Sequence, residues 1–376
     1  MEFRDLRRQY EALKPEIDEA LLGCASSGGF IQGRHVAELE AQLADYAGVE
    51  HCVTCANGTD ALSLALRVWQ VGEGDAVFVP DFTFFASAEV VAAQGATPVF
   101  VPVRPDTYNM DPEALEQRIE RVKAEGRLRP RVVLAVDLFG LPADFNRIIP
   151  IAEANNLLLL EDAAQGFGGA IGGRKACSFG HIAATSFFPA KPLGCYGDGG
   201  AIFTNRADWA AAARSLAQHG RGASKYEHTA VGLNSRLDAI QAAVLKVKLK
   251  AFANYELEKV QHIAKQYTEA LASAVVTPTV AEGFSSSWAQ YTVRFANCSK
   301  RDKVKQYLAA KGIPSMIYYP SPMHLQPVFA DLLRADKELE SGWASVKACL
   351  SLPMHPYLTD QEVTLVANTV IEALNE

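Results

Sequence analysis

Short apolar runs alternate with helical patterns through the first half of the chain. The runs at 52–55, 76–79, 97–103, 131–138, 157–161 and 201–204 are rich in β-branched and aliphatic residues. Helical patterns begin at Asp60 and after Phe84, and the charged segment 1–21 also reads as a helix. Alternating strands and helices predict an α/β fold. Two of the runs, with VVLAV and the LLLL of LLLLE, are apolar at consecutive positions instead of every second residue. That pattern suits a mostly parallel sheet covered by helices on both faces. The rhythm changes after Asn234. A long helical stretch covers 238–275, and then come a strand at 288–295, a helix at 300–311, an extended GIPSMIYYP segment and a last helix from Thr359. This predicts a large α/β domain over 1–250 and a smaller α+β domain over 251–376, with the boundary inside the long helix near 246–259.

The composition is that of a core-forming chain. Of its 376 residues 49% are hydrophobic and 21% charged, which excludes a disordered chain and a small disulfide scaffold. Thirty-six Lys and Arg against 43 Asp and Glu leave a net charge of −7, with no basic block, so nucleic acid is not the expected partner. No apolar run reaches the roughly 18 residues of a membrane span, and the first 21 residues are charged, without a secretory apolar run. A cytoplasmic location is expected, with Cys24, Cys52, Cys55, Cys177, Cys195, Cys298 and Cys349 reduced. Cys52 and Cys55 form a lone CxxC, which reads as small apolar residues at a strand end; no metal site is expected.

Four stretches hold candidate chemistry. Residues 185–204, TSFFPAKPLGCYGDGGAIFT, set Lys191 among aromatic, Pro and Gly residues. Desolvation there disfavours the cation, and a neutral amine is the nucleophile a Schiff base needs; a surface Lys is the plainer alternative. In 157–169, LLLLEDAAQGFGG, an apolar strand ends at Asp162, where a carboxylate can keep a pyridinium nitrogen protonated or simply cap the next helix. Gln165 follows within reach of a ring substituent, or is an ordinary loop residue. In 56–62, ANGTDAL, Gly58 and Thr59 place backbone amides at a helix start suited to phosphate, although capping alone would explain them. In 80–87, PDFTFFAS, an aromatic could stack on a flat ring or belong to the core. Together they supply what pyridoxal 5′-phosphate requires.

With these segments the chain resembles the nucleotide-sugar aminotransferases of the DegT/DnrJ/StrS family. The resemblance extends through DTYNMDP, VGLNSRLDAIQAAVLKVKL and IYYPSPMHLQP, nearly the whole chain. It implies the fold-type I, aspartate aminotransferase-like architecture. It also implies roles for single residues: Lys191 as the lysine that bears the cofactor and moves the proton, Asp162 as the pyridinium partner and Gln165 beside the ring hydroxyl. Phe84 takes the stacking position, with Phe85 as fallback, and Gly58, Thr59 and Ser186 form the phosphate cradle. Asn234 resembles the residue that completes the cradle of a neighbouring subunit, which implies a homodimer with shared sites. Arg236 is a candidate contact for a substrate carboxylate or phosphate, and Tyr319 matches a family tyrosine.

The implied reaction is ping-pong: L-glutamate gives its amine to the cofactor, which then aminates a keto sugar. A related branch carries His in place of the lysine and dehydrates its substrate; here Lys191 is kept, which favours transamination over a lyase or a non-catalytic sensor. Many members have a His before the Tyr of the segment that here reads Ile317-Tyr318-Tyr319-Pro320. Tyr318, and His324 in PMHLQP, are further substrate-contact candidates, a packing role in the loop being the plainer alternative for His324; the loop 219–228 adds Tyr226 and His228, with Lys225 expected in solvent. The overall pattern is closest to members acting on UDP-linked 3-keto sugars such as UDP-2-acetamido-3-keto-glucuronic acid, in O-antigen or other surface-polysaccharide synthesis. Acceptors linked to dTDP, or bearing a 4-keto group, are the alternatives.

Overall fold

A computed structural model describes residues 1–224, 226–332 and 336–376, so Lys225 lies outside the described residues. The chain runs through α1 (Leu6–Ser27), α2 (Arg34–Ala47), β1 (His51–Cys55), α3 (Gly58–Val68), β2 (Asp75–Pro80), α4 (Ala86–Ala93), β3 (Thr97–Val101), α5 (Pro112–Glu125), β4 (Arg129–Val136), α6 (Phe145–Ala154) and β5 (Leu158–Asp162). Two short strands, β6 (Ala170–Ile171) and β7 (Arg174–Lys175), lead to β8 (Ile182–Ser186), β9 (Gly200–Thr204) and α7 (Ala207–Leu216). Then α8 (Ala239–Ala251), a π-helical turn (Phe252–Glu256) and α9 (Leu257–Leu271) follow one another without a break. The remainder holds β10 (Phe284–Ser285), β11 (Tyr291–Arg294), α10 (Cys298–Ala310), α11 (Lys337–Val346), β12 (Cys349–Leu352) and α12 (Asp360–Asn375).

Seven strands form the central sheet in the order β1-β9-β8-β5-β4-β2-β3. All pairs are parallel except those of β9, which runs antiparallel to β1 and β8. The apolar run in β4 has the predicted consequence. Val133 and Ala135 enter one hydrophobic cluster, and Val132, Leu134 and Val136 enter another across the sheet. Both faces are therefore covered from Val132 to Val136, and every position there is apolar. A third cluster, built from α9, α10, α12, β11 and β12, forms the core of the C-terminal part.

Some elements differ from the sequence reading. Strand β8 lies outside the predicted runs because its IAATS sequence has little β-branched density, yet it is paired on both sides. The stretch expected as a strand over 97–103 ends at Val101, where Pro102 removes a donor from the ladder. Trp288 takes a left-handed backbone (φ 51°), so the 288–295 strand starts only at Tyr291. The long helix is interrupted by its π turn, where Phe252 packs against Tyr46 and Phe167.

One edge of this sheet collects loops. β1, β2, β4, β5 and β8 all point the same way, so the segments after Cys55, Pro80, Val136, Asp162 and Ser186 emerge together. Ligands of open α/β sheets sit at this carboxyl edge.

Candidate active site

Lys191 is carried on the loop joining β8 to β9. The loop is closed at its base by Phe187, which donates from N to Gly199 O at 2.7 Å and accepts from Cys195 N at 2.8 Å. Inside it, Lys191 N donates to Phe188 O at 2.8 Å. A Cβ on Gly194 would meet Pro189 O at 2.5 Å, so the tight path requires glycine there. Burial pulls the Lys191 amine below the ordinary lysine range; Asp162 opposes that shift and Arg4 reinforces it.

Asp162 closes β5 and is 5% exposed. Its Oδ2 accepts from Ser87 Oγ at 2.8 Å and its Oδ1 from Ala164 N at 3.2 Å. Burial raises its proton affinity, and these donors, with Lys191, hold that rise in check. A protonated ring nitrogen against this carboxylate would supply the counter-charge that burial demands. Gln165 has both ends engaged. Its Oε1 accepts from Phe139 N at 2.7 Å, and its Nε2 donates to the Tyr319 hydroxyl at 3.0 Å. Tyr319 in turn lies against Phe84, ring centres 6.1 Å apart. Phe84 is 55% exposed, an unusual setting for a phenylalanine beside a core and a fitting one for a ring that stacks on a ligand. Its neighbour Phe85 instead packs on Phe329 at 5.8 Å.

The anion cradle is shaped by absent side chains. Asn57 caps α3 by accepting from Asp60 N at 2.8 Å, which leaves the Gly58 and Thr59 amides ahead of the first helical acceptor. A Cβ on Gly58 would come within 2.7 Å of Ser186 Cβ, and one on Gly200 within 2.4 Å of Asn57 O. Helix start and strand end thus meet only because glycines stand there. A phosphate fits this donor set, and the residues present suit pyridoxal phosphate as a whole. Ser235 supports the same corner by accepting from Ala56 N at 3.0 Å.

The family can now be placed. A model of the DegT/DnrJ/EryC1/StrS aminotransferase family matches residues 11–371. The chain belongs to this family. It is similar to the UDP-2-acetamido-2-deoxy-3-oxo-D-glucuronate aminotransferase of Pseudomonas aeruginosa, 42% identical over 97% of this chain and 98% of that one. A crystal structure of a DegT DnrJ EryC1 StrS aminotransferase from Brucella abortus matches with a TM-score of 0.97 and 46% identity, covering 100% of both chains. The ntda protein of Bacillus subtilis, solved with bound cofactor PMP, matches with a TM-score of 0.87 at 25% identity over 97% of this chain and 82% of that one. The α/β aminotransferase fold, the pyridoxal-phosphate cofactor and a transaminase activity on nucleotide sugars are the properties of this family.

Within one chain of the aminotransferase, Lys191, Asp162, Gln165, Gly58, Thr59, Ser186, Phe84 and Tyr319 gather at the sheet edge. Tyr318 stands beside them, half-buried, its ring against Phe3 at 6.1 Å. His324 has a different setting. Its Nδ1 lies 2.6 Å from Asp81 Oδ2 and its N donates to Asp81 Oδ1 at 2.9 Å, a buried clamp that holds the 322–326 segment to the end of β2. Asn234 is exposed and Arg236 half-buried, either side of the buried Ser235. Tyr226 is 84% exposed in the loop before α8. Cys52 and Cys55 are buried within β1. Four residues were given no role by the sequence reading: Ser87 and Asp81, both in the quoted PDFTFFAS run, the second of which clamps His324, and the buried carboxyl pair Asp137 and Glu161 behind Asp162.

Proposed function

We propose that this aminotransferase transfers the amino group of L-glutamate to the 3-keto group of a UDP-linked sugar of the UDP-2-acetamido-3-keto-glucuronic acid type. The work would be done in the cytoplasm, for O-antigen or another surface polysaccharide. The observation that carries the reading is the meeting of Lys191, Asp162 and the α3 amides at one sheet edge, in a chain 42% identical to an enzyme named for that substrate.

When bound, pyridoxal phosphate supplies an electrophilic aldehyde and a ring that takes up the electron pair released at the donor's Cα. The protein does the rest. Lys191 Nζ, whose proton affinity burial lowers, would hold the cofactor and would take and return the proton of the reacting carbon. Asp162 keeps the ring nitrogen protonated, and Ser87 keeps Asp162 oriented. Gln165, tied to Phe139 and Tyr319, would contact a ring substituent, and Phe84 would stack on the ring. Gly58, Thr59 and Ser186 hold the phosphate.

Asn234 completes the cradle of a neighbouring subunit, so the working unit is a homodimer. Its exposure in one chain, together with that of Phe84 and Phe188 beside the site, supports this. Arg236, Tyr318 and Tyr226 are the proposed contacts to the sugar nucleotide. The division at 250/251 belongs to the same proposal and is supported by the π turn at Phe252–Glu256, beyond which residues enter the third core.

The test is product analysis with L-glutamate and a panel of UDP- and dTDP-linked 3- and 4-keto sugars. Formation of 2-oxoglutarate in equal amount to a 3-amino UDP-sugar supports the proposal. Turnover confined to 4-keto or dTDP-linked sugars, or water release without 2-oxoglutarate, refutes it.

A further inference from the structure

Residues just ahead of α1 bear on Lys191 from behind. Phe3 O accepts from Met354 N at 3.2 Å, and the Phe3 ring packs edge-on against Tyr318. This holds Arg4 beneath the lysine loop, where its Nη2 donates to the carbonyl of Pro192 at 3.1 Å. Pro192 has no amide hydrogen, so its carbonyl is the backbone group through which this point of the loop can be held. On the far side stands Glu256 of the π turn, buried, accepting from Gln9 Nε2 at 2.9 Å and from the Tyr357 hydroxyl at 2.6 Å. One anchored arm thus links the domain-joining helix to the loop that bears the lysine.

The charges around this point are few. Lys191 is faced by Asp162 from β5 and by Arg4 from the arm. Arg4 itself is faced by Glu256, by buried Lys248 from α8 and by buried His355 from the segment after β12. Burial brings Arg4 down to about 10 while Glu256 raises it, so it remains a cation at neutral pH.

We propose that Arg4 is a positioning residue for Lys191: it pins the loop through the Pro192 carbonyl and sets a fixed positive charge against the loop that bears the amine. The proposal rests on Lys191 being the lysine that bears the cofactor, and it deepens that reading by naming what prepares it. The two effects separate chemically. Arg4→Gln keeps an amide donor but lacks the charge, Arg4→Lys keeps the charge, and Arg4→Met loses both.

The experiment uses the full-length protein freed of cofactor. Lysines are labelled competitively with acetic anhydride from about pH 6 to 11, and Lys191 is quantified by mass spectrometry. In Arg4→Gln and Arg4→Met the half-labelling pH of Lys191 should rise, and its reactivity near pH 8 should fall by about three- to tenfold, the effect of one charge at short range in a partly buried site. In Arg4→Lys the labelling curve should stay close to that of the parent. Unchanged labelling of Lys191 in Arg4→Gln, with the fold intact by circular dichroism, would overturn the proposal; Gln keeps a donor, so it serves if Met does not fold. No cofactor enters the measurement. An error in the cofactor reading would show instead as visible absorbance that survives Lys191→Ala.

Discussion

Gln165 offers the sharpest test of how the cofactor platform is built. Replacing it by Ala removes the acceptor of Phe139 N, a 2.7 Å bond to a residue that is 6% exposed and held at a left-handed φ of 59°. A buried amide left without a partner costs about 1–3 kcal/mol. The same change removes the donor to the Tyr319 hydroxyl at 3.0 Å, worth about 1 kcal/mol. The bond from Ser287 Oγ to Gln165 O, at 2.9 Å, uses the main chain and survives. The expected loss is therefore about 2–4 kcal/mol, read by equilibrium urea denaturation of the cofactor-free protein. Tyr319→Phe breaks only the second bond and should cost about 1 kcal/mol. The double variant should cost less than the two singles together, because both delete the same contact. If Gln165→Ala costs under about 0.5 kcal/mol, or no more than Tyr319→Phe, the Phe139 amide is not held as described and the argument for a rigid platform fails.

Other parts of the site make their own predictions. Gly58→Ala puts a Cβ 2.7 Å from Ser186 Cβ, so cofactor affinity should fall at least about tenfold by fluorescence titration while stability changes by about 1–3 kcal/mol; unchanged affinity would mean that the cradle lies elsewhere. Asp137 and Glu161 are fully buried together, and burial pushes Glu161 up to about 7 and Asp137 well above its usual range. The folded state therefore holds a proton that the unfolded chain gives up above the ordinary carboxylate range. Stability is complete below that range and declines as pH rises to about 7. Asp137→Asn should flatten this decline in melting curves between about pH 5 and 8, and an unchanged slope would contradict the shared proton. His324→Ala opens the clamp to Asp81 and leaves a buried carboxylate with one donor fewer; a loss of about 2–4 kcal/mol is expected in denaturation, and a neutral result would free His324 for the substrate role the sequence suggested.

Much of this organisation is legible in the sequence because it is local. A strand buried on both faces must be apolar at each buried position, and β4 is from Val132 to Val136. A lysine between prolines, a glycine at a helix start and an aspartate at a strand end announce themselves within a few residues. The parts that stayed hidden depend on distant pairings. Arg4 reaches Pro192 across 188 positions, and Ser87 reaches Asp162 across 75. Nothing in either neighbourhood names the other. His324 is a further case: its partner Asp81 stands 243 positions away, and the sequence around neither shows the clamp between them. Strand β8 was missed because alanines pack well between β5 and β9 yet give little strand signal of their own.

The central claim is that Lys191 bears the cofactor and passes an amine through it. The most direct measurement is a spectral titration of the purified protein with pyridoxal phosphate and then with L-glutamate, beside Lys191→Ala. The account predicts a band near about 410 nm that moves to about 330 nm when glutamate is added, and no such band in the variant. A band that persists in Lys191→Ala, or that glutamate leaves in place in the parent protein, would contradict it.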